Sequence, residues 1–199
     1  QPDFNRVWPG CDTKGTPEHE LMRDVMSIMA DREVFASVDV HNNTGINPHY
    51  ACVNVLEHQS LHLAALFGRT VVYFVRPRGV ASMAMAALGP SVTLECGKVG
   101  QQHGVDHATN YLAACLHLAE IPSHPVAPHD IDLYHTVAIV RVSDGHQFGF
   151  GDPDNAIKFE PGDWMTAGTF KILEVYDPDY QRIFTNHEAP AAWNFFGSD

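Results

Sequence analysis

The chain has 199 residues, with 12 Lys+Arg against 24 Asp+Glu and a formal net charge of −12. Hydrophobic residues make up 45% and charged residues 18%, which fits a globular chain and excludes a disordered, collagenous or coiled-coil one. The acidic balance argues against nucleic acid or an anionic membrane surface as partner, and no run of about 18 apolar residues offers a membrane span. One domain, or one domain with a small appendage, is expected from the length. The chain opens at Gln1 inside a motif, with neither a methionine nor a basic-then-apolar signal pattern, so a further segment is expected upstream. Cys11, Cys52, Cys96 and Cys115 are scattered without a Cys-x-x-Cys pair, which reads as free thiols in a reducing cytoplasm.

Thr16-Pro17-Glu18 is a helix start: a Thr cap, Pro at the first helical position and acids in the first turn. Leu21, Val25, Ile28 and Met29 follow at helical spacing, which predicts a helix to about residue 31. Residues 35–40 read as a buried strand that ends in the polar run His41-Asn42-Asn43-Thr44-Gly45. The triplet Asn42-Asn43-Thr44 matches a glycosylation sequon and is discounted, because it follows a His with a better use. A strand over 51–56, a helix over 58–67, a strand over 70–75 and a strand over 91–96 come next. Residues 105–120 carry Leu112, Leu116 and Ala119 on one predicted helix face. Strands alternating with helices predict an α/β layer.

Three prolines in residues 121–128 mark a linker or boundary. Beyond it, strands are predicted over 133–142, 156–159, 170–176 and 182–185, separated by Gly, Pro and Asp clusters. The expected organisation is a domain over 1–126 and a small, mainly β domain over 127–199. Asp144-Gly145-His146 and Gly151-Asp152-Pro153-Asp154 read as turns, without the ligand pattern of a calcium loop.

Three places carry candidate chemistry. His41 sits where a buried strand stops, at the sheet end where α/β sites form, and can offer a neutral imidazole to a metal. Glu95 lies in Val92-Thr93-Leu94-Glu95-Cys96-Gly97, a run expected to be buried. A carboxylate there is costly unless paired or used, and a water-poor cleft raises its proton affinity toward that of a general base. Asn5-Arg6, ahead of Trp8-Pro9-Gly10, fits a rigid loop presenting a guanidinium that can hold a carboxylate with two hydrogen bonds. His58 and His62, four apart, are expected to share a helix face as packing or solvated residues, and His103 and His107 to lie near the mouth of the cleft.

The order Asp3-Phe4-Asn5-Arg6-Val7-Trp8-Pro9-Gly10, Asp39-Val40-His41-Asn42-Asn43-Thr44, then Leu94-Glu95-Cys96-Gly97 resembles the succinylglutamate desuccinylase/aspartoacylase family, a branch of the zinc carboxypeptidase superfamily. The resemblance covers most of residues 1–120. It implies a zinc-carboxypeptidase-like mixed sheet flanked by helices, lacking its N-terminal strands and followed by a small β domain. It implies one Zn2+ per active site, with His41 as the last ligand in sequence. It makes Glu95 the base that activates the zinc-bound water and passes the proton to the leaving amine. Asn5 and Arg6 would hold the carboxylate of the amino-acid part of the substrate. The family's other two ligands form a His-x-x-Glu pair ahead of the Asn-Arg motif, so they are expected upstream of Gln1, as is its transition-state arginine. An arginine that reads an acidic side chain would fall near Met85, with Arg76 and Arg78 further off, so an aspartyl-type substrate is not expected.

The expected function is a zinc-dependent amidohydrolase that removes an acyl group from an N-acyl amino acid or similar small amide, cytoplasmic and compatible with a homo-oligomer. These 199 residues alone would then be inactive. The alternatives are a carboxypeptidase-like peptidase, and a metal-free, non-catalytic binding domain if the chain truly starts at Gln1. A sheet without its first strands should also expose an edge.

Overall fold

The computed structural model describes residues 3–12, 15–43, 48–141, 165–166, 169–176 and 182–184. A 3-10 turn, Phe4–Arg6, leads to α1 (Pro17–Ala30), β1 (Ser37–Asn43), β2 (Tyr50–Val53), α2 (His58–Phe67), β3 (Thr70–Tyr73), α3 (Ala81–Met85), β4 (Ser91–Lys98), α4 (Gln102–Leu116) and β5 (Asp132–Arg141). The short strands β6 (Met165–Thr166), β7 (Thr169–Tyr176) and β8 (Arg182–Phe184) follow. The predicted strand at 156–159 and the turns at 144–146 and 151–154 lie outside the described residues.

Every described strand joins one mixed sheet in the order β1-β4-β2-β3-β5-β7-β6, with β8 on β7. β1 runs parallel to β4, β2 to β3 and β3 to β5, while β2 is antiparallel to β4. The expected boundary near residue 127 falls in the segment leading into β5. Residues 132–135 of β5 pair with β3, and residues 133–141 pair with β7 across a register shift between Thr136 and Ala138. β1 forms one edge of the described sheet, and its Val40 is 46% exposed.

Strand alternation divides the side chains between two faces. Ala51, Val53, Val71, Val92, Leu94, Cys96 and Leu133 point toward α2 and α4, where Leu61, Leu63, Phe67 and Tyr111 complete the main core. Tyr50, Cys52, Val72 and Phe74 point the other way and pack with Val80 and Met83. The first face is thick and apolar. The second is thinner and carries α3.

Two helices differ from their predicted faces. α4 buries Gly104, Ala108 and Tyr111 and leaves Leu112 and Leu116 exposed. The reason is close approach: a Cβ on Gly104 would stand 2.1 Å from the carbonyl oxygen of Cys96, so only a stripe of small residues lets this helix lie against β4. α1 begins at Thr16 as predicted, and the buried His19 folds back so that its Nδ1 accepts from the Thr16 hydroxyl at 2.8 Å. It buries His19 and Met22, while Leu21 and Ile28 stay exposed. None of the four cysteines forms a disulfide. Among the described residues no helix is long and apolar enough to cross a membrane.

Candidate active site

The site is assembled at the carboxyl ends of β1 and β4. These strands are parallel neighbours, and His41 stands in register with Glu95 as Asp39 does with Thr93. With a period of two, Asp39, His41, Thr93 and Glu95 share the face that carries α3, while Val38 and Leu94 join the opposite core. One strand thus supplies Leu94 to the core and Glu95 to the cleft in consecutive residues.

A buried polar chain stands beneath these groups. The Thr93 hydroxyl donates to Ser82 Oγ at 2.8 Å, Ser82 Oγ donates to Asn54 Oδ1 at 2.7 Å, and Asn54 Nδ2 donates to the Phe74 carbonyl at 3.0 Å. Buried polar atoms are tolerated when bonded in this way, and the chain ties α3 to β4 and β2 on the cleft side.

The N-terminal loop is fastened to the same face. Asp3 caps the 3-10 turn by accepting from Asn5 N at 2.8 Å. Trp8 N donates to Gly79 O at 3.1 Å, Val7 is buried, and Ala81 N donates to Asn5 Oδ1 at 3.4 Å. Gly79 has φ +81°, and a Cβ there would meet Arg6 O and the Cys11 side chain at 2.7 Å. Both its conformation and its space therefore require glycine. The bond from Ala81 orients the Asn5 amide so that Nδ2 faces His41, 3.5 Å from Nε2. The exposed Arg6 donates through NH1 to Asn5 O at 2.5 Å.

Asp39 Oδ2 lies 3.0 Å from His41 Nε2. As the closer of the two neighbours it accepts a hydrogen bond from Nε2–H, which leaves Nδ1 as the lone-pair nitrogen of the neutral ring. This hydrogen bond holds the His41 pKa above the usual imidazole value. The charges of Asp39 and Glu95 act in the same direction, and burial and the Arg6 charge oppose them. The structure therefore brings His41, Glu95, Asn5 and Arg6 into one neighbourhood, as the motifs imply. Asp39 is not among the residues to which the motifs give a task, although Asp-x-His on a strand puts both side chains on one face.

The remaining candidates lie elsewhere. Arg76 and Arg78 each approach Asp12 at 4.0 Å. His62 sits on α2, across the sheet, with Nε2 donating to His124 O at 2.9 Å. His103 and His107 pack with His49 on the α2/α4 side, not in the cleft.

Zinc chemistry sets a demand that these residues meet only in part. Among the described residues no group of three or more His, Cys, Asp or Glu is arranged to hold a metal ion. His41 is suited to be one ligand: its ring is oriented through one nitrogen by a carboxylate, the arrangement that typically supports a metal-bound imidazole. The described residues do not complete a catalytic zinc site.

Several solved structures with this architecture are succinylglutamate desuccinylases. The succinylglutamate desuccinylase from Chromobacterium violaceum superposes with a TM-score of 0.58 at 17% identity, covering 76% of this chain and 54% of that one. The chain has the succinylglutamate desuccinylase fold. The desuccinylase from Vibrio parahaemolyticus gives a TM-score of 0.51 at 15% identity, covering 77% and 51% of the two chains. That from Vibrio cholerae gives 0.50 at 20% identity, covering 92% and 57%. The chain thus spans about half the length of the desuccinylases it resembles. No protein-family model and no curated protein matches it.

Proposed function

We propose that the chain carries the substrate-binding loop, one metal ligand and the general base of a zinc-dependent amidohydrolase that removes an acyl group from an N-acyl amino acid or similar small amide. The observation that carries this reading is the in-register pair His41 and Glu95 at adjacent strand ends, with the Asn5-Arg6 loop fastened against His41. The desuccinylase-like fold supports it, and four cysteines outside any disulfide suit a cytoplasmic setting.

Each residue has a separate task. Arg6 and Asn5 present a guanidinium and an amide for the carboxylate of the amino-acid part, which fixes the scissile amide against the strand ends. Glu95 takes a proton from the attacking water and returns it to the leaving amine, so it works as base and then as acid. Asp39 keeps Nε2 of His41 occupied and leaves Nδ1 as the nitrogen that would bind the ion. A zinc ion held by His41 and two donors from beyond the described residues would supply the polarised water.

The test is Glu95→Gln in the full-length protein, assayed against a panel of N-acyl amino acids. Turnover should fall about 10²–10⁴-fold or more, with one zinc per chain retained by elemental analysis. Turnover that survives the substitution would sink the mechanism. A native protein that carries no zinc and cleaves no amide would instead support a metal-free binding domain.

A further inference from the structure

Across the sheet from Glu95, three histidines converge where β2 begins and α4 begins. His49 Nε2 lies 3.0 Å from His103 Nδ1, with the two rings stacked at 5.0 Å between centroids. His103 Nε2 donates to Gln101 Oε1 at 2.9 Å, which places its proton on that nitrogen and leaves Nδ1 as a lone pair facing His49. His107 donates through Nε2 to the Phe67 carbonyl at 2.8 Å and lays its ring against His49 and Phe67, at 4.8 and 4.4 Å between centroids. The His49 ring is thus held between α2 and α4. It also rests on the end of β4, where a Cβ on Gly97 would come within 3.0 Å of Nε2.

We propose that His49 and His103 form a two-imidazole chelating site for a late first-row divalent cation, Cu2+ most tightly and Zn2+ less so, separate from the site around His41. At metal–nitrogen distances of about 2.0–2.1 Å, two cis ligands stand about 2.8–3.4 Å apart from square to tetrahedral geometry, so the observed 3.0 Å lies within the span of a chelate. The Gln101 carbonyl does for His103 what an outer partner does for a metal-bound imidazole: it fixes the tautomer and the ring. The packing of His107 and Phe67 does the same for the plane of His49. Burial, and then the neighbouring His107 and His103, favour neutral His49, the form that can bind a metal. His103 is exposed, which gives the ion a path from solvent.

Binding replaces the N–H···N bond by two nitrogen–metal bonds. The His49 proton transfers from Nε2 to Nδ1 through solvent, so no net proton is released, and water fills the remaining positions. The order of affinity follows the Irving–Williams series. Occupation would fasten the start of β2, just beyond the polar run after His41, to the start of α4.

The experiment titrates CuCl2 into the chain carrying His41→Ala, by calorimetry and by pulsed electron paramagnetic resonance. One Cu2+ per chain with two coordinated imidazoles is expected. His103→Gln and His49→Gln, introduced separately, should each lower the affinity at least about 10-fold and leave one imidazole, as expected for loss of a chelate partner. His117→Gln, at the far end of α4, should change neither. Should His49→Gln fail to fold, the exposed His103→Gln still decides the matter. Affinity and imidazole count unchanged by His103→Gln, or no saturable binding up to millimolar CuCl2, would overturn the proposal.

Discussion

The two faces of the sheet solve different problems with the same strands. Toward α2 and α4 the strands bury Val92, Leu94, Val71 and Val53 completely, and the helices seal them. Toward α3 they bury a hydroxyl–hydroxyl–amide chain and then open into Asp39, His41 and Glu95. Burial on the first face contributes stability. The second keeps polar atoms that a more stable protein would replace. Period-two alternation makes this separation sharp, because consecutive residues of one strand belong to opposite faces.

Leu94 and Glu95 offer the cleanest way to break that division. Leu94→Ala removes a fully buried side chain and should cost about 3–5 kcal/mol in urea unfolding. Glu95→Gln, one residue on, should leave unfolding within about 1 kcal/mol of the parent, as expected away from the core, while removing turnover in the full-length protein. A large stability loss from Glu95→Gln would mean that the carboxylate is a structural group and that the two faces are not separate. Gly104→Ala should come next, at about 3 kcal/mol, because its Cβ would collide with the Cys96 backbone, which a flexible side chain cannot relieve.

Where the sequence could be read, the reason is a strong local signal. α2 stands where its apolar spacing puts it, and β4 is marked by a β-branched and apolar run around one costly carboxylate. The buried face of α4 escaped because Gly104 and Ala108 carry no hydrophobic signal, and the exposed Leu112 and Leu116 carry a misleading one. α3 escaped because its five residues, Ala81–Met85, are too short to show a period. The placement of Asn5 beside His41 rests on a bond from Ala81, 76 residues away, which no local pattern encodes. The motifs single out His41, Glu95, Asn5 and Arg6; only the fold shows that Asp39 contacts His41.

The polar chain beneath the cleft gives a smaller and more local test. Ser82→Ala removes the donor to Asn54 and the acceptor of Thr93 in one step. Leaving both partners unsatisfied in a buried setting should cost about 1–3 kcal/mol in urea unfolding. Asn54→Ala combined with Ser82→Ala should cost less than the sum of the two single changes, since both break the same bond. Strict additivity would show that the chain does not act as a unit.

Acidification should separate the faces by sign. Burial, followed by the charges of His107 and His103, holds His49 below the usual 6.5. A group whose folded pKa is depressed contributes stability above its unfolded pKa, and that contribution is lost as pH falls through the folded value. His41 is the reverse case, raised chiefly by its hydrogen bond to Asp39. Its contribution is fully present below the unfolded pKa and is lost as pH rises through the folded one. In chelator-treated protein, urea midpoints measured from pH 5 to 8 should therefore shift in opposite directions with pH when each variant is compared with the parent. His49→Gln should be most harmful at the high end of that range and Asp39→Asn at the low end. The effect should be the smallest of those described, since both rings are only partly buried. Two variants with the same pH trend would mean that the α2/α4 face does not insulate His49, and that the contrast between the faces holds for packing but not for charge.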